Sequence, residues 1–146
     1  MKKFILIALL SAFIFKAKSQ TPKQVQLFPQ EYVGKTITFK NIAYMPTLTE
    51  MKGMYLVGID IEGEGAEEFG FGSLDKITGA VGASIAKQMS KKGYGGYSKF
   101  YYGSVTGKVV KKSLSFGSNY VFVISKIVNH WLGEENKPKE VFTSIK

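Results

Sequence analysis

Apolar residues recur at every second position over much of this 146-residue chain, and at every fourth position in one segment. Alternation is typical of a β-strand with one buried face, whereas a four-residue spacing is the stripe of an amphipathic helix. The helical stripe consists of Ile77, Val81, Ile85 and Met89. Three strand-like segments precede it in the sequence, and two strand-like segments follow it. The sequence therefore predicts a mainly β, single-domain fold with one helix between strands three and four.

The first predicted strand contains a change of parity. Ile37 and Phe39 share one face, but after residues 40–41 the apolar positions become Ile42 and Tyr44. One extra residue in a strand, a β-bulge, would return these side chains to the same face. We therefore expect a long first strand with a bulge or a sharp coil at residues 40–41, and then a polar connection over residues 46–53.

The other elements are predicted from the same two periods. Strands are expected over residues 54–63, 69–71, 98–110 and 119–131, the last of them central because it is apolar on both faces. Ser73 or Asp75 could cap the start of the helix, and Gly93 could end it after two lysines.

The stretches VGKTITFKNI and GSVTGKVV…NYVFVISKI, with the order of the elements, resemble small exported bacterial domains of the OB-fold family. The resemblance covers residues 32–129 and rests on element order and strand style. It implies a five-stranded Greek-key barrel with ligand sites on strands two and three and on the loops after strands one and four. A different small barrel or an α+β sandwich is the alternative fold.

The two loops implied by this resemblance supply most of the candidate ligand-binding residues. They are Met45, Met51 and Met54 after strand one, and Lys111, Lys112, Phe116 and Asn119 after strand four. Methionine and aromatic side chains at such edges suit protein or peptide partners and also oligosaccharides. The alternative is that these residues plug the ends of the barrel.

The stretch SKKGYGGYSKFYYGSVTG combines glycines, lysines and aromatic rings, which are the ingredients of a surface that stacks nucleic-acid bases. Strand alternation places Tyr101 in the core, with Phe100 and Tyr102 on the opposite face, where they could pack under the helix. Tyr94 and Tyr97 are flanked by glycines, so we expect them to be exposed and include them among the candidate ligand-binding residues. The favoured interpretation of the stretch is a joint between a loop and a strand with the rings as anchors, and a stacking surface is the alternative.

The first 19 residues have the order of a secretory signal peptide, with two lysines, an apolar run over residues 4–15 and a short polar stretch. The apolar run is shorter than the roughly 20 residues that cross a bilayer. Ala17 and Ser19 have the spacing that a signal peptidase reads, so cleavage is expected before Gln20. An uncleaved membrane anchor is the alternative.

Removal of the signal peptide would change the charge of the protein and define its mature parts. Cleavage would lower the net charge from +9 to +5, because four of the twenty lysines lie in the removed segment. We expect a periplasmic or secreted protein with no stable membrane anchor after cleavage. Its parts would be a signal peptide at 1–19, a flexible leader at 20–31, an OB-like barrel at 32–132 and a charged tail at 133–146.

The chain carries few residues for catalysis. It has no cysteine, which excludes disulfides, thiolate catalysis and zinc–sulfur sites. The single histidine, His130, is expected at a rim. The acidic run at residues 60–68 has the glycine of a calcium loop, Gly65, but Phe71 stands where the closing glutamate belongs. We therefore expect no enzyme activity, no cofactor and no metal.

The sequence favours an exported binding module that recognises a protein or a cell-envelope ligand through its barrel-edge loops. The alternative is a binder of single-stranded nucleic acid or another polyanion, through exposed aromatics and lysines such as Lys108. Three features count against nucleic acid. The chain has no arginine, and its mature charge is moderate, with acids along and beyond the second strand over residues 60–64. An exported protein also seldom meets nucleic acid. An enzyme, the third possibility, would need two of these acids to converge in a cleft.

Overall fold

The computed structural model describes residues 20–51, 54–59, 76–95, 99–111, 120–130 and 137–143. Two helical segments open this part of the chain, α1 (Pro22–Leu27) and a 3-10 helix (Pro29–Tyr32). The other elements are β1 (Thr36–Met51), β2 (Met54–Ile59), β3 (Lys76–Thr78), α2 (Gly79–Lys91), β4 (Tyr101–Lys111), β5 (Tyr120–His130) and β6 (Glu140–Thr143). The strands form one antiparallel sheet in the order β3-β2-β1-β4-β5-β6.

The first strand bends at the predicted place. The register between β1 and β4 shifts between Phe39 and Ile42, and Asn41 adopts a φ of 53°. Asparagine tolerates this left-handed conformation better than most residues. The bulge keeps Ile37, Phe39 and Tyr44 on the buried face, so the predicted parity switch is confirmed. The predicted polar connection at 46–53 is wrong in part, because β1 continues to Met51.

The hydrophobic core lies on one face of the sheet, beneath α2. Ile85 and Met89 of α2 are fully buried in the same cluster as Phe39 of β1 and Phe122 and Ile127 of β5. In β4, buried and more exposed residues alternate from Gly103 onward, and Tyr101, predicted to be in the core, is partly buried against it. The core-facing side of the sheet is called the inner face below, and the opposite side is the outer face. The prediction that β5 is central is confirmed, since it pairs with both β4 and β6.

The end of α2 follows the prediction and its start does not. Gly93 has a φ of 78°, its N–H donates to the Ser90 carbonyl and the Tyr94 N–H donates to the Met89 carbonyl. This pair of bonds is the Schellman motif, which glycine favours because the left-handed conformation costs it little. At the other end, Ile77 belongs to β3 and pairs with Tyr55 of β2. The helical spacing of Ile77 from Val81 therefore misled the prediction.

The segments outside the predicted barrel contribute to the fold. We expected a flexible leader at 20–31, but Thr21 caps α1 in a capping box with Gln24, and Val25 is buried in the core. The charged tail includes β6, which adds a strand to the free side of β5. The predicted signal peptide, the predicted third strand at 69–71 and the helix caps Ser73 and Asp75 lie outside the described residues.

The fold is mainly β, with a helix between the third and fourth described strands. β3 also lies against β5, at the opposite side of the strand order. Within the described ranges no hydrogen-bonded pairing joins these two strands, so the sheet is curled without the pairing that would close a barrel.

Candidate ligand groove and buried polar network

The structure describes five of the nine predicted ligand residues. Met45 is buried, and Met51 pairs with Met54 where β1 and β2 meet. Lys111 is exposed at the end of β4. The other predicted residues, Tyr97, Lys112, Phe116 and Asn119, lie outside the described part of the chain.

The predicted exposure of Tyr94 is wrong, since only 7% of its surface is accessible. The Schellman turn at Gly93 reverses the chain and brings Tyr94 back over the core side of α2. Its ring centroid lies 4.6 Å from that of Tyr101 and 5.1 Å from that of Phe142. The Tyr94 ring is therefore packed against other rings within the protein and offers no platform for stacking a base.

A buried polar network runs through this region. Tyr44 donates its hydroxyl proton to Asn129 Oδ1 over 3.0 Å, and Asn129 Nδ2 donates to the Tyr94 hydroxyl oxygen over 2.9 Å. Tyr94 in turn donates to the Glu140 carboxylate, whose other oxygen accepts from Lys92 Nζ at 2.6 Å. Each hydroxyl and amide group in the network points its donor at an acceptor, as burial requires.

The network changes the protonation of its members. Burial, followed by the charges of neighbouring groups, raises the pKa of Tyr44 far above its usual range. Burial and the bond to Glu140 also raise the pKa of Tyr94. Hydrogen bonds from Lys92 and Tyr94 lower the pKa of the Glu140 carboxyl. Two neutral phenols, an amide and a carboxylate thus connect β1, β5 and β6 with the turn that follows α2.

An open groove lies beside α2, where this helix passes the end of β1. It has a volume of about 400 Å³ and is lined by Leu48, Ala83, Ala86, Lys87 and Ser90. Apolar side chains form most of the walls, and Lys87 and Ser90 supply one cation and one hydroxyl. Such a combination suits a ligand with an apolar group beside a carboxylate or another acceptor.

Leu48 is held in the groove by a strained backbone. It adopts a φ of 54° where the register between β1 and β2 shifts. A leucine in the left-handed region costs about 1–3 kcal/mol, and such residues concentrate at functional sites. Gly95 lies directly behind it, because a Cβ on Gly95 would come within 2.9 Å of Leu48 Cδ1. The position of Leu48 in the groove wall therefore depends on its own left-handed backbone and on the absence of a side chain at Gly95.

His130 lies on the outer face, half-buried, with its ring 6.3 Å from that of Tyr102. Desolvation, and then the charge of Lys139, lowers the pKa of this histidine. The described residues contain no group of three or more acidic or histidine side chains that could hold a metal ion. No helix in those residues is long and apolar enough to cross a membrane.

Comparisons with models of known protein families, with curated proteins and with solved structures find no match to this chain.

The groove and the network were missed by sequence reasoning for different reasons. Asn129 breaks an apolar strand, and a polar residue at a core position is a signal for a buried hydrogen-bonded group. Its hydrogen-bond partners Tyr44 and Tyr94 are 85 and 35 residues away in the sequence and carry no such signal. The groove depends on small residues of α2 facing a bulged leucine, which only the three-dimensional arrangement reveals.

Proposed function

We propose that this protein is an exported, non-enzymatic binding module, and that its ligand site is the groove between α2 and the end of β1. The observation that carries the proposal is the strained Leu48 on the wall of an open, largely apolar groove. This location is next to the β1–β2 junction, where the OB-fold resemblance implies a ligand site.

The strand arrangement supports the OB-like part of the proposal. Antiparallel pairing in the order β3-β2-β1-β4-β5, with β3 against β5, is the arrangement from which a five-stranded Greek-key barrel would close. The helix before β4 packs on the inner face, as a helix does when it covers the end of such a barrel. We propose that β6 is an addition to this arrangement.

The side chains that line the groove favour one chemical class of ligand. Ala83 and Ala86 leave room for an apolar side chain, and Lys87 would attract a carboxylate. A protein segment or a peptide-bearing envelope polymer offers both groups on one short chain. We therefore propose a peptide or peptidoglycan-type ligand.

The proposal is tested by fluorescence anisotropy with three labelled probes: a pool of short acidic peptides with one aromatic residue, muropeptides, and a thymidine oligonucleotide. The wild type is compared with Ala83→Arg, which fills the groove, and with Thr36→Arg, an exposed substitution on β1. We expect a peptide or muropeptide to bind both the wild type and Thr36→Arg. Ala83→Arg should weaken that binding at least about tenfold, which is about 1.4 kcal/mol.

The competing function, binding of single-stranded nucleic acid, is assessed in the same experiment. It would use exposed lysines such as Lys108 and Lys111. Binding of the oligonucleotide alone, with a steep loss of affinity on adding salt and no effect of Ala83→Arg, would replace our proposal by this one.

A further inference from the structure

The outer face carries a group of apolar side chains that α2, the longer of the described helices, does not cover. Alternation along β4, β5 and β6 places Tyr102, Val128 and Val141 on this face, and Val128 pairs with Val141 across the strands. Phe100 directly precedes β4 and has the parity of Tyr102. We call these four residues, Phe100, Tyr102, Val128 and Val141, the outer patch.

The outer patch is open to solvent at its two ends. Val141 is 51% exposed and Phe100 is 41% exposed, while Tyr102 and Val128 between them are half-buried. The core cluster and α2 lie on the inner face, so they do not cover these side chains. A contiguous exposed apolar surface on a small protein is a common mark of an interaction site.

Two lysines lie beside the outer patch. Lys126 is on the outer face and pairs with Thr143, two residues from Val141. Lys139 lies two residues before Val141, and its charge acts on His130 at the edge of the patch. Both lysines are exposed. Glu140, the acid closest in sequence, is bonded to Lys92 and Tyr94 of the inner side.

We propose that the outer patch binds the surface of an anionic lipid bilayer, with its apolar side chains in the interface and the lysines on the lipid phosphates. Exposed aliphatic and aromatic residues bordered by lysine are suited to the boundary between headgroups and acyl chains. A lysine can lay its apolar stem along such a boundary and keep its charge at the headgroups. Protein interfaces are enriched in arginine and depleted of lysine, which makes a protein partner a poorer fit. This proposal does not depend on the groove.

A dye placed on the patch tests the proposal in the full chain. The sequence has no cysteine, so a single Thr143→Cys substitution can carry an environment-sensitive dye such as NBD on the outer face. A matched Lys91→Cys variant carries the dye at the exposed end of α2. On adding phosphatidylglycerol-containing vesicles, we expect the dye at position 143 to brighten and shift to the blue, and the dye at 91 to change little. Pure phosphatidylcholine vesicles should give a much weaker response.

Substitutions then separate the patch from other apolar surfaces. Phe100→Ser/Val141→Ser should abolish the response at position 143. The control pair Leu27→Ser/Phe28→Ser removes side chains that are 59% and 50% exposed elsewhere on the protein, and it should leave the response intact. Lys126→Gln and Lys139→Gln should each weaken binding about fivefold, whereas Lys87→Gln should not.

Other outcomes would overturn the proposal. If the protein floats with vesicles while the dye at 143 stays unchanged, another segment makes the contact. An equal response to phosphatidylcholine would show that the lysines have no role, and loss of the response in the Leu27/Phe28 control would place the contact near α1. Ala83→Leu fills the groove without adding a charge, so it should leave vesicle binding unchanged even if the peptide proposal fails.

Discussion

At the scale of single residues, Asn129 is the side chain on which the interior most depends. It is 1% exposed and joins the hydroxyl groups of Tyr44 and Tyr94. Replacing it with leucine would leave the buried Tyr44 hydroxyl without its acceptor. It would also remove the donor to the Tyr94 oxygen, although Tyr94 would keep its bond to Glu140. We expect Asn129→Leu to lower the free energy of unfolding by about 2–3 kcal/mol in urea denaturation. The control Thr38→Val, which breaks an exposed bond to Thr106, should cost no more than about 0.5 kcal/mol.

Tyr44 should make stability fall at alkaline pH. Its folded-state pKa is raised above the ordinary tyrosine value of about 10, so its contribution is complete below that pH. Above it, the unfolded chain loses the phenol proton and the folded chain keeps it, at a cost of about 1.4 kcal/mol per pH unit. Tyr44→Phe should be less stable than the wild type at pH 8, by about 1 kcal/mol for the lost hydrogen bond. The difference should close as the pH rises past 10, and a constant difference at every pH would contradict this assignment.

The sequence predicted individual buried residues well wherever a strand alternates. Ile37 and Phe39 were placed on one face of the first strand, and both are buried in the core. Tyr94 was misplaced because its glycine-rich surroundings resemble an exposed loop. The Schellman turn that buries it needs Gly93 in a left-handed conformation, and the sequence does not show where the following residue then points.

At the scale of elements, β6 is a four-residue strand that is attached by side-chain hydrogen bonds as well as by its pairing with β5. Its two ends accept hydrogen bonds from Gln88 of α2 and from Lys92 and Tyr94 in the turn that follows α2. Glu140 carries two of these bonds, and its pKa is lowered in the folded protein. The stabilisation by Glu140 is therefore present above the ordinary carboxyl pKa of about 4.3 and is lost as the pH falls below it.

We expect Glu140→Gln to weaken the attachment of β6 by about 1 kcal/mol at neutral pH, and to remove most of its acid sensitivity. Hydrogen exchange measured by mass spectrometry should show faster exchange in residues 140–143 and little change in β1. Lys92→Gln, which keeps the bond from Tyr94, should have a smaller effect. Equal acceleration throughout the sheet would mean that β6 does not open separately.

Element boundaries could be predicted only in part. Local patterns located β1, its bulge, β4, β5 and the end of α2. The start of α2 was misread because the spacing of Ile77 fits a helix as well as it fits β3. The position of β6 could not be predicted, since its docking depends on contacts with α2 and β5 that are distant in sequence.

At the scale of the whole molecule, the curled sheet has two surfaces with different chemistry. The inner face carries the core and α2, beyond which the groove opens past Leu48. The outer face carries the outer patch and its lysines. Composition and element order predicted a mainly β domain, but neither surface follows from a local pattern, because each is assembled from separate strands or from a strand and the helix.

The assignment of separate roles to these surfaces is tested most directly by mapping ¹H–¹⁵N chemical shifts of the labelled protein with the two classes of probe. We predict that a peptide or muropeptide probe shifts the amides of Leu48, Ala83 and Lys87 and leaves β6 unchanged. Phosphatidylglycerol-containing bicelles should instead shift or broaden the amides of Tyr102, Val128 and Val141. If both probes perturb one common set of residues, or if neither perturbs the groove or the outer patch, the two-surface account is contradicted.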